Sequence, residues 1–140
     1  MTLVVLPDVT AKTALVTGAA SGIGAALVEQ LCAGGAAVVA VDIQAEALSD
    51  LAAAHGCTTL VVDIATEQAN RDMVAAAAQA VGSLDLVFLN GGVLGRTREE
   101  QGQPYRVGDL DLDQYRKVMA VNTDSVIFGT VAVAPSMNSG

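Results

Sequence analysis

Cysteine is scarce in this chain: Cys32 and Cys57 are the only two among 140 residues. Two thiols so far apart cannot make a metal cluster or a disulfide framework, and they read as small buried or half-buried side chains in a reducing, cytoplasmic setting. Basic charge is scarce too. Seven Lys and Arg against 15 Asp and Glu leave a formal charge of −8. No basic stripe is present that could neutralise a phosphate backbone, so nucleic acid is excluded as a partner. Long apolar runs are also missing. The opening MTLVVLPDVT has no charged leader and only a short apolar stretch. No run approaches the ~20 apolar residues of a membrane span, so the sequence reads as soluble, with no membrane partner and no targeting segment. Histidine is limited to His55, whose position near an expected helix end suits a capping role better than acid–base work.

What is present is apolar and regularly ordered. A 52% hydrophobic content over this length suits one globular domain with a real core. Lys12 to Thr17 is a short apolar run closed by glycine. Ile23, Leu27 and Leu31 then recur at helical spacing before Gly34 and Gly35 stop the helix. The unit repeats: Ala36 to Val41 ends at Asp42, and the alanine-rich Gln44 to His55 is halted by Gly56. Thr58 to Val62 ends at Asp63, Thr66 has the position of an N-cap for a helix reaching about Val81, and Leu84 to Leu89 makes a fourth strand. Strands that are apolar throughout, rather than alternating, belong to a parallel sheet covered by helices on both faces, a doubly wound α/β arrangement.

The pattern changes after the fourth strand. Gly91 to Gly108 is polar and predicts a long loop, a lid or substrate-side segment, with Arg96, Arg98, Glu99 and Glu100 as a solvated face. From Asp111, the positions Tyr115, Val118, Met119, Val126 and Ile127 mark a long helix ending near Pro135, with the Tyr115 ring packed beneath it. Asp109, Asp111 and Asp113 surround that helix start, where negative charge meets free N–H groups. They lack the remaining ligands and the glycine of a calcium loop.

The densest signal is Thr17-Gly18-Ala19-Ala20-Ser21-Gly22-Ile23-Gly24, three glycines in eight residues between a strand and a helix. Glycine there allows a tight turn, a close backbone approach to a phosphate and close helix packing, while the helix N-terminus offers N–H groups to the anion. Asp42, at the end of the next strand, stands where an acidic residue takes the hydroxyls of an adenosine ribose.

With these residues in place, the sequence resembles the short-chain dehydrogenase/reductase family. TGAASGIG matches its Thr-Gly-x-x-x-Gly-x-Gly loop, Asp42 its ribose-binding acid, and Asp63-Ile64 its adenine-contacting pair after the third strand. Asn90-Gly91-Gly92 stands for the usual Asn-Ala-Gly, and Val121-Asn122 carries the asparagine of the long fourth helix. The resemblance runs over roughly residues 12 to 135. It implies a Rossmann-type sheet of strand order 3-2-1-4, truncated after the fourth strand and its following helix. It implies a cofactor site of Gly18, Ala20, Ser21, Gly22, Ile23, Gly24, Asp42, Ile43, Asp63, Ile64, Asn90, Gly91, Gly92 and Val121. The pyrophosphate is expected over Ser21 to Ile23, adenine near Asp63-Ile64, and the nicotinamide ribose near Asn90 to Gly92. Glycine at 91 should cost some backbone rigidity beside that ribose. NAD is expected over NADP, since Asp42 would repel a 2′-phosphate and Ala19, Ala20 and Ile43 offer no cation to neutralise one.

The catalytic half of the pattern is missing. The family uses a Tyr-x-x-x-Lys pair and an upstream Ser, but Asp109 follows four residues after Tyr105 and Met119 four after Tyr115. Of the catalytic set only Asn122 is present, with an implied role of kinking its helix and holding a water through its backbone carbonyl. The fourth strand, with an apolar edge and unpaired backbone groups, invites a partner. The last helix would also lack a following strand to return to. The expectation is therefore the cofactor half, residues 1–140, of a longer NAD-dependent enzyme. That enzyme would move hydride between nicotinamide and a small-molecule alcohol or ketone. By resemblance it would be a homo-oligomer, or would pair with a separate C-terminal half. The alternative is a non-catalytic dinucleotide-binding or assembly module.

Overall fold

Each unbroken apolar run forms a strand, and the glycines and polar residues between runs turn the chain into helices. The structure, a computed structural model, describes residues 8–96, 102 and 106–138. Strands β1 (Thr13–Thr17), β2 (Ala37–Asp42), β3 (Thr58–Val61) and β4 (Leu86–Phe88) form one parallel sheet in the order β3-β2-β1-β4. Helices α1 (Gly22–Ala33), α2 (Ala45–His55) and α3 (Glu67–Val81) connect them. Side chains along a strand point alternately to opposite faces. Ala14, Val16, Val38 and Ala40 therefore pack with Val28, Leu31 and Leu48 on one side, while Leu15, Val39 and Val41 pack with Met73, Val74 and Ala77 on the other. Two covered faces explain why the central strands carry no polar alternation. Each fully buried Val or Leu contributes about 1.5–3 kcal/mol relative to exposure.

The helix ends follow their sequence signals. Gly56 takes the left-handed conformation (φ 72°) that closes α2, whose last turn holds His55, and the Thr66 hydroxyl accepts from the Ala69 N–H to open α3. The two outer strands depart from expectation. β3 and β4 are only half-buried, and β4 is shorter than Leu84 to Leu89, because only Ala14, Leu15 and Val16 of β1 pair with it. Leu84 instead meets the returning chain: its N–H donates to Ser136 O at 2.9 Å, and the Asn138 N–H donates to Leu84 O at 2.9 Å. The last helix thus does lead back to the open side of the sheet, through a parallel bridge between Leu84 and Met137.

That last helix is continuous. It comprises α4 (Leu112–Met119), a π segment (Ala120–Asp124), α5 (Ser125–Val133) and a 3-10 turn (Ala134–Ser136). At 25 residues it is long and apolar enough to cross a membrane by length and composition, contrary to the reading of the sequence. One stripe of it, Val121, Ser125, Gly129 and Val133, is buried. α5 packs there against α3, and a Cβ on Gly129 would lie 2.8 Å from Leu89 Cδ2, so the small residue makes room for the leucine that follows β4. Val126, Ile127 and Val131 face away, and Tyr115 is 48% exposed rather than packed beneath the helix. Nothing among the described residues covers their side. Ile23 is likewise on the open face of α1, whose buried residues are Gly24, Val28 and Leu31. In the expected loop, Val107–Asp109 forms a short 3-10 turn, while Arg98, Glu99, Glu100, Pro104 and Tyr105 lie outside the described residues.

Candidate functional site

The carboxyl ends of all four strands open on one side, and the turn after β1 is shaped by glycine. Gly18 (φ 66°) and Gly22 (φ 53°) lie in the left-handed region that a side chain disfavours. Gly24 is needed for another reason: a Cβ there would collide with the Gly18 carbonyl oxygen. At Gly18 a Cβ would lie 2.8 Å from Gly91 Cα, so the turns after β1 and β4 are in backbone contact. Ser21 is the N-cap of α1 in extended conformation, with no capping hydrogen bond from its hydroxyl. Among the described residues, the N–H groups of Ser21, Gly22 and Ile23 have no acceptor. These are the orphan donors of a helix start, held where an anion would satisfy them.

Asp42 closes the other side of this turn. Its Oδ2 accepts from the Ala20 N–H at 3.1 Å, and its Oδ1 accepts from the N–H groups of Ile43 (2.8 Å) and Gln44 (3.1 Å). The Gln44 Nε2 also donates to Oδ1 at 3.5 Å, so with about two acceptor sites per oxygen Oδ1 is fully used and one lone pair on Oδ2 stays open. The carboxylate is thereby fixed in place. Ala20 contributes through its N–H to Asp42 and does not line the cleft.

The far wall is stitched by side chains. Buried Thr17 accepts at Oγ1 from the Gly91 N–H (3.0 Å) and donates to Phe88 O (3.4 Å), while Asn90 Nδ2 donates to Thr17 O (3.3 Å). Asn122 Nδ2 donates to Val93 O (2.9 Å) and its Oδ1 accepts from the Val93 N–H (2.8 Å). That amide pair pins the chain after β4 to the π segment, where the Ser125 N–H bonds back to Ala120 O. Asn122 thus stands inside a widened turn of the helix. The side chain itself stands behind the Gly92-Val93 wall, and Asn122 is not among the residues lining the cleft.

These elements enclose a cleft of about 440 Å³. Gly18, Ser21, Gly22, Ile23, Asp42, Ile43, Asp63, Ile64, Asn90, Gly91, Gly92 and Val121 all line it; Ala20, Gly24 and Asn122 support it from behind. A Cβ on Gly91 would come 2.6 Å from Ile64 Cδ1, so in this chain the isoleucine occupies the room an alanine methyl would fill. Among the described residues, the charged lining groups are Asp42, Asp63 and Lys117. Lys117 was not legible as a site residue; its place one helical turn before Val121 is the signal that could have found it. Cys32 and Cys57 lie away from the cleft, and burial pushes both thiols above their ordinary range. An elongated ligand carrying an anion for the free N–H groups and a hydroxyl for Asp42 fits this lining.

Comparison with known proteins agrees with the fold. The family described as short chain dehydrogenase matches residues 12–140. Similar curated proteins include 3beta-hydroxysteroid dehydrogenase 2 of Eggerthella lenta, 33% identical over 131 residues, covering 89% of this chain and 47% of that protein. Another is 2-(R)-hydroxypropyl-CoM dehydrogenase of Xanthobacter autotrophicus, 33% identical over 132 residues, covering 90% and 51%. Among solved structures, a mutant Serratia marcescens short-chain dehydrogenase/reductase superposes with a TM-score of 0.82 at 30% identity, covering 94% of this chain and 53% of that one. The 3-ketoacyl-(acyl-carrier-protein) reductase of Brucella melitensis, complexed with NADH, gives 0.80 at 26%, covering 91% and 51%. The chain spans about half the length of the relatives it matches.

Proposed function

The chain belongs to the short-chain dehydrogenase family, a family of oxidoreductases, and on that premise we propose that it holds NAD in the cleft as the cofactor-binding half of a dehydrogenase. The reaction is hydride transfer between nicotinamide and an alcohol or carbonyl carbon. Bound nicotinamide supplies the hydride donor or acceptor. The single observation that carries the reading is the set of unpartnered N–H groups at Ser21, Gly22 and Ile23, opposite the immobilised carboxylate of Asp42 in one cleft. Those N–H groups take the pyrophosphate, Asp42 accepts from the adenosine ribose through its open lone pair, and Asp63 and Ile64 flank the base. Asn90, Gly91 and Gly92 bound the nicotinamide ribose. A 2′-phosphate beside Asp42 would meet like charge, and the one cation that lines the cleft among the described residues, Lys117, comes from a different element.

Neither Tyr105 nor Tyr115 is followed by lysine at the fourth residue. The 140 residues alone therefore bind without turning over a substrate. That same fact favours the second reading, a dinucleotide-binding module that catalyses nothing by itself. Free Cys32 and Cys57 suit a soluble, cytoplasmic protein, and the exposed Val126, Ile127 and Val131 suit burial against a like chain.

Titration of NAD and NADP against the wild type and Asp42→Ala tests the cofactor. The wild type should favour NAD, and Asp42→Ala should weaken NAD roughly tenfold, as expected for a lost charged hydrogen bond, while narrowing the preference over NADP. Wild-type binding of NADP as tight as NAD would overturn the assignment.

A further inference from the structure

Asn70 is 1% exposed, one of three buried polar residues among those described, and it lies on α3 outside the cleft lining. An amide so deeply buried must have its donors placed, since an unmet polar group in the core costs more than its hydrogen bond returns. Its Nδ2 donates to Ile64 O at 2.8 Å and to Thr66 O at 2.8 Å. Ile64 lines the cleft, and Thr66 is the N-cap from which α3 starts. One side chain thus ties the wall after β3 to the first turn of the next helix.

The other side of Asn70 faces the long helix. A Cβ on Gly129 would sit in ordinary contact with Asn70 Oδ1 at 3.4 Å, so the amide lies directly against the long helix at its small residue. One turn earlier on the same stripe, buried Ser125 donates from Oγ to Val121 O, and Val121 lines the cleft from the long helix while sharing one buried core cluster with Ile64. The spacing between the two walls is therefore set where α3 and α5 meet, at Asn70.

We propose that Asn70 is a positioning residue for the base-binding end of the cleft, holding the Asp63–Ala65 wall at the distance a purine needs. This rests on the cofactor reading above. Asn70 touches no ligand; it acts through the Ile64 carbonyl, so its loss should be felt at one end of the cleft only.

The experiment compares the full chain, Asn70→Leu and Val74→Ala. Leucine keeps the branching of asparagine without a donor, and Val74 is a buried residue one turn along α3 that does not line the cleft. Val74→Ala lowers stability by opening a cavity in the same core and removes no hydrogen bond to the wall, so it controls for general loosening. Binding of AMP, nicotinamide mononucleotide and NAD is titrated, and amide hydrogen exchange at residues 63–66 is followed in the unliganded protein. Asn70→Leu should weaken AMP and NAD roughly tenfold, leave the nicotinamide mononucleotide unchanged and speed exchange at 63–66. Val74→Ala should do none of these. Equal loss for both mononucleotides, unchanged exchange, or the same pattern in Val74→Ala overturns the proposal. If Asn70→Leu does not fold, Asn70→Ala, which removes both hydrogen bonds without adding bulk, is read against the same criteria. If the wild type binds neither AMP nor NAD, the cofactor reading fails. Faster exchange in Asn70→Leu would then leave Asn70 a fold residue only, and the positioning role is rejected with it.

Discussion

Two regions reach the same cleft by opposite means: the turn from Thr17 to Gly24 with Asp42, and the long helix from Leu112 to Ser136. In the turn nearly everything is backbone. Left-handed glycines set its course, a backbone collision excludes a side chain at Gly24, and Asp42 is fixed by three N–H groups. In the helix the backbone is ordinary except for one widened turn. Its place depends on a single buried stripe of small and medium side chains packed on α3, and on one amide paired with Val93. A region built from backbone tolerates almost no change at a few positions and wide change elsewhere. A region built from one packed stripe yields gradually and leaves its opposite face free.

Gly24→Ala should break the first region most severely. Its methyl meets the Gly18 carbonyl, backbone against backbone with no side chain to move, and overpacking of that kind costs about 3 kcal/mol. Urea unfolding should show that loss, and NAD binding should vanish with it. A fully stable Gly24→Ala would show the turn to be softer than its geometry. Asn122→Ala is the matching change in the second region. Two hydrogen bonds to Val93 disappear, an expected loss of about 1–2 kcal/mol, with faster amide exchange at Val93. An unchanged exchange rate there would mean that the helix is held by its stripe alone.

A smaller effect is expected at the opposite end of the sheet, where β1, β4 and the returning chain meet at Asp85. A hydrogen bond from Asn138 and then one from the Thr13 N–H hold its carboxyl below the ordinary value of 3.8, with Lys12 adding attraction. A depressed folded pKa adds stability that is present above the unfolded value and is lost as pH falls through the folded one. Asp85→Asn should therefore lower thermal stability at neutral pH and flatten the acid limb of the stability curve below about pH 4. An acid limb identical to wild type would remove Asp85 from that account. Least affected should be Ile127→Ser. This residue is 57% exposed on the helix face away from α3, and an isolated surface change stays within about 0.5 kcal/mol. A larger loss of stability that scaled with protein concentration would show that face to be covered by a second chain in solution.

The strands, the connecting helices and the glycine turn were legible because each depends on residues near it in the chain. An apolar run bounded by glycine becomes a buried strand, the Thr66 hydroxyl caps α3, and Gly18 and Gly22 appear where the backbone needs positive φ. The second half was less legible. Periodicity marked a long helix through Tyr115, Val118, Met119, Val126 and Ile127 and put the Tyr115 ring beneath it, yet the buried stripe is Val121, Ser125, Gly129 and Val133. When a helix is apolar on several sides, its own pattern does not name the side that packs. Asn70 and Lys117 were silent for a related reason. An asparagine within a helix and a lysine beside a hydrophobic turn are both common on surfaces.

By itself the sequence determined the α/β alternation, the turn shaped by glycine and the acidic residue facing it, because local sterics and hydrogen bonding act between residues close in the chain. Tertiary structure alone decided that Asp42 spends three acceptor sites on backbone N–H groups, that Asn122 supports the wall instead of lining it, and that Asn70 ties α3 to the wall beside Ile64. Those outcomes depend on which helix faces lie within hydrogen-bonding distance. Packing fixes that only after the whole sheet has closed.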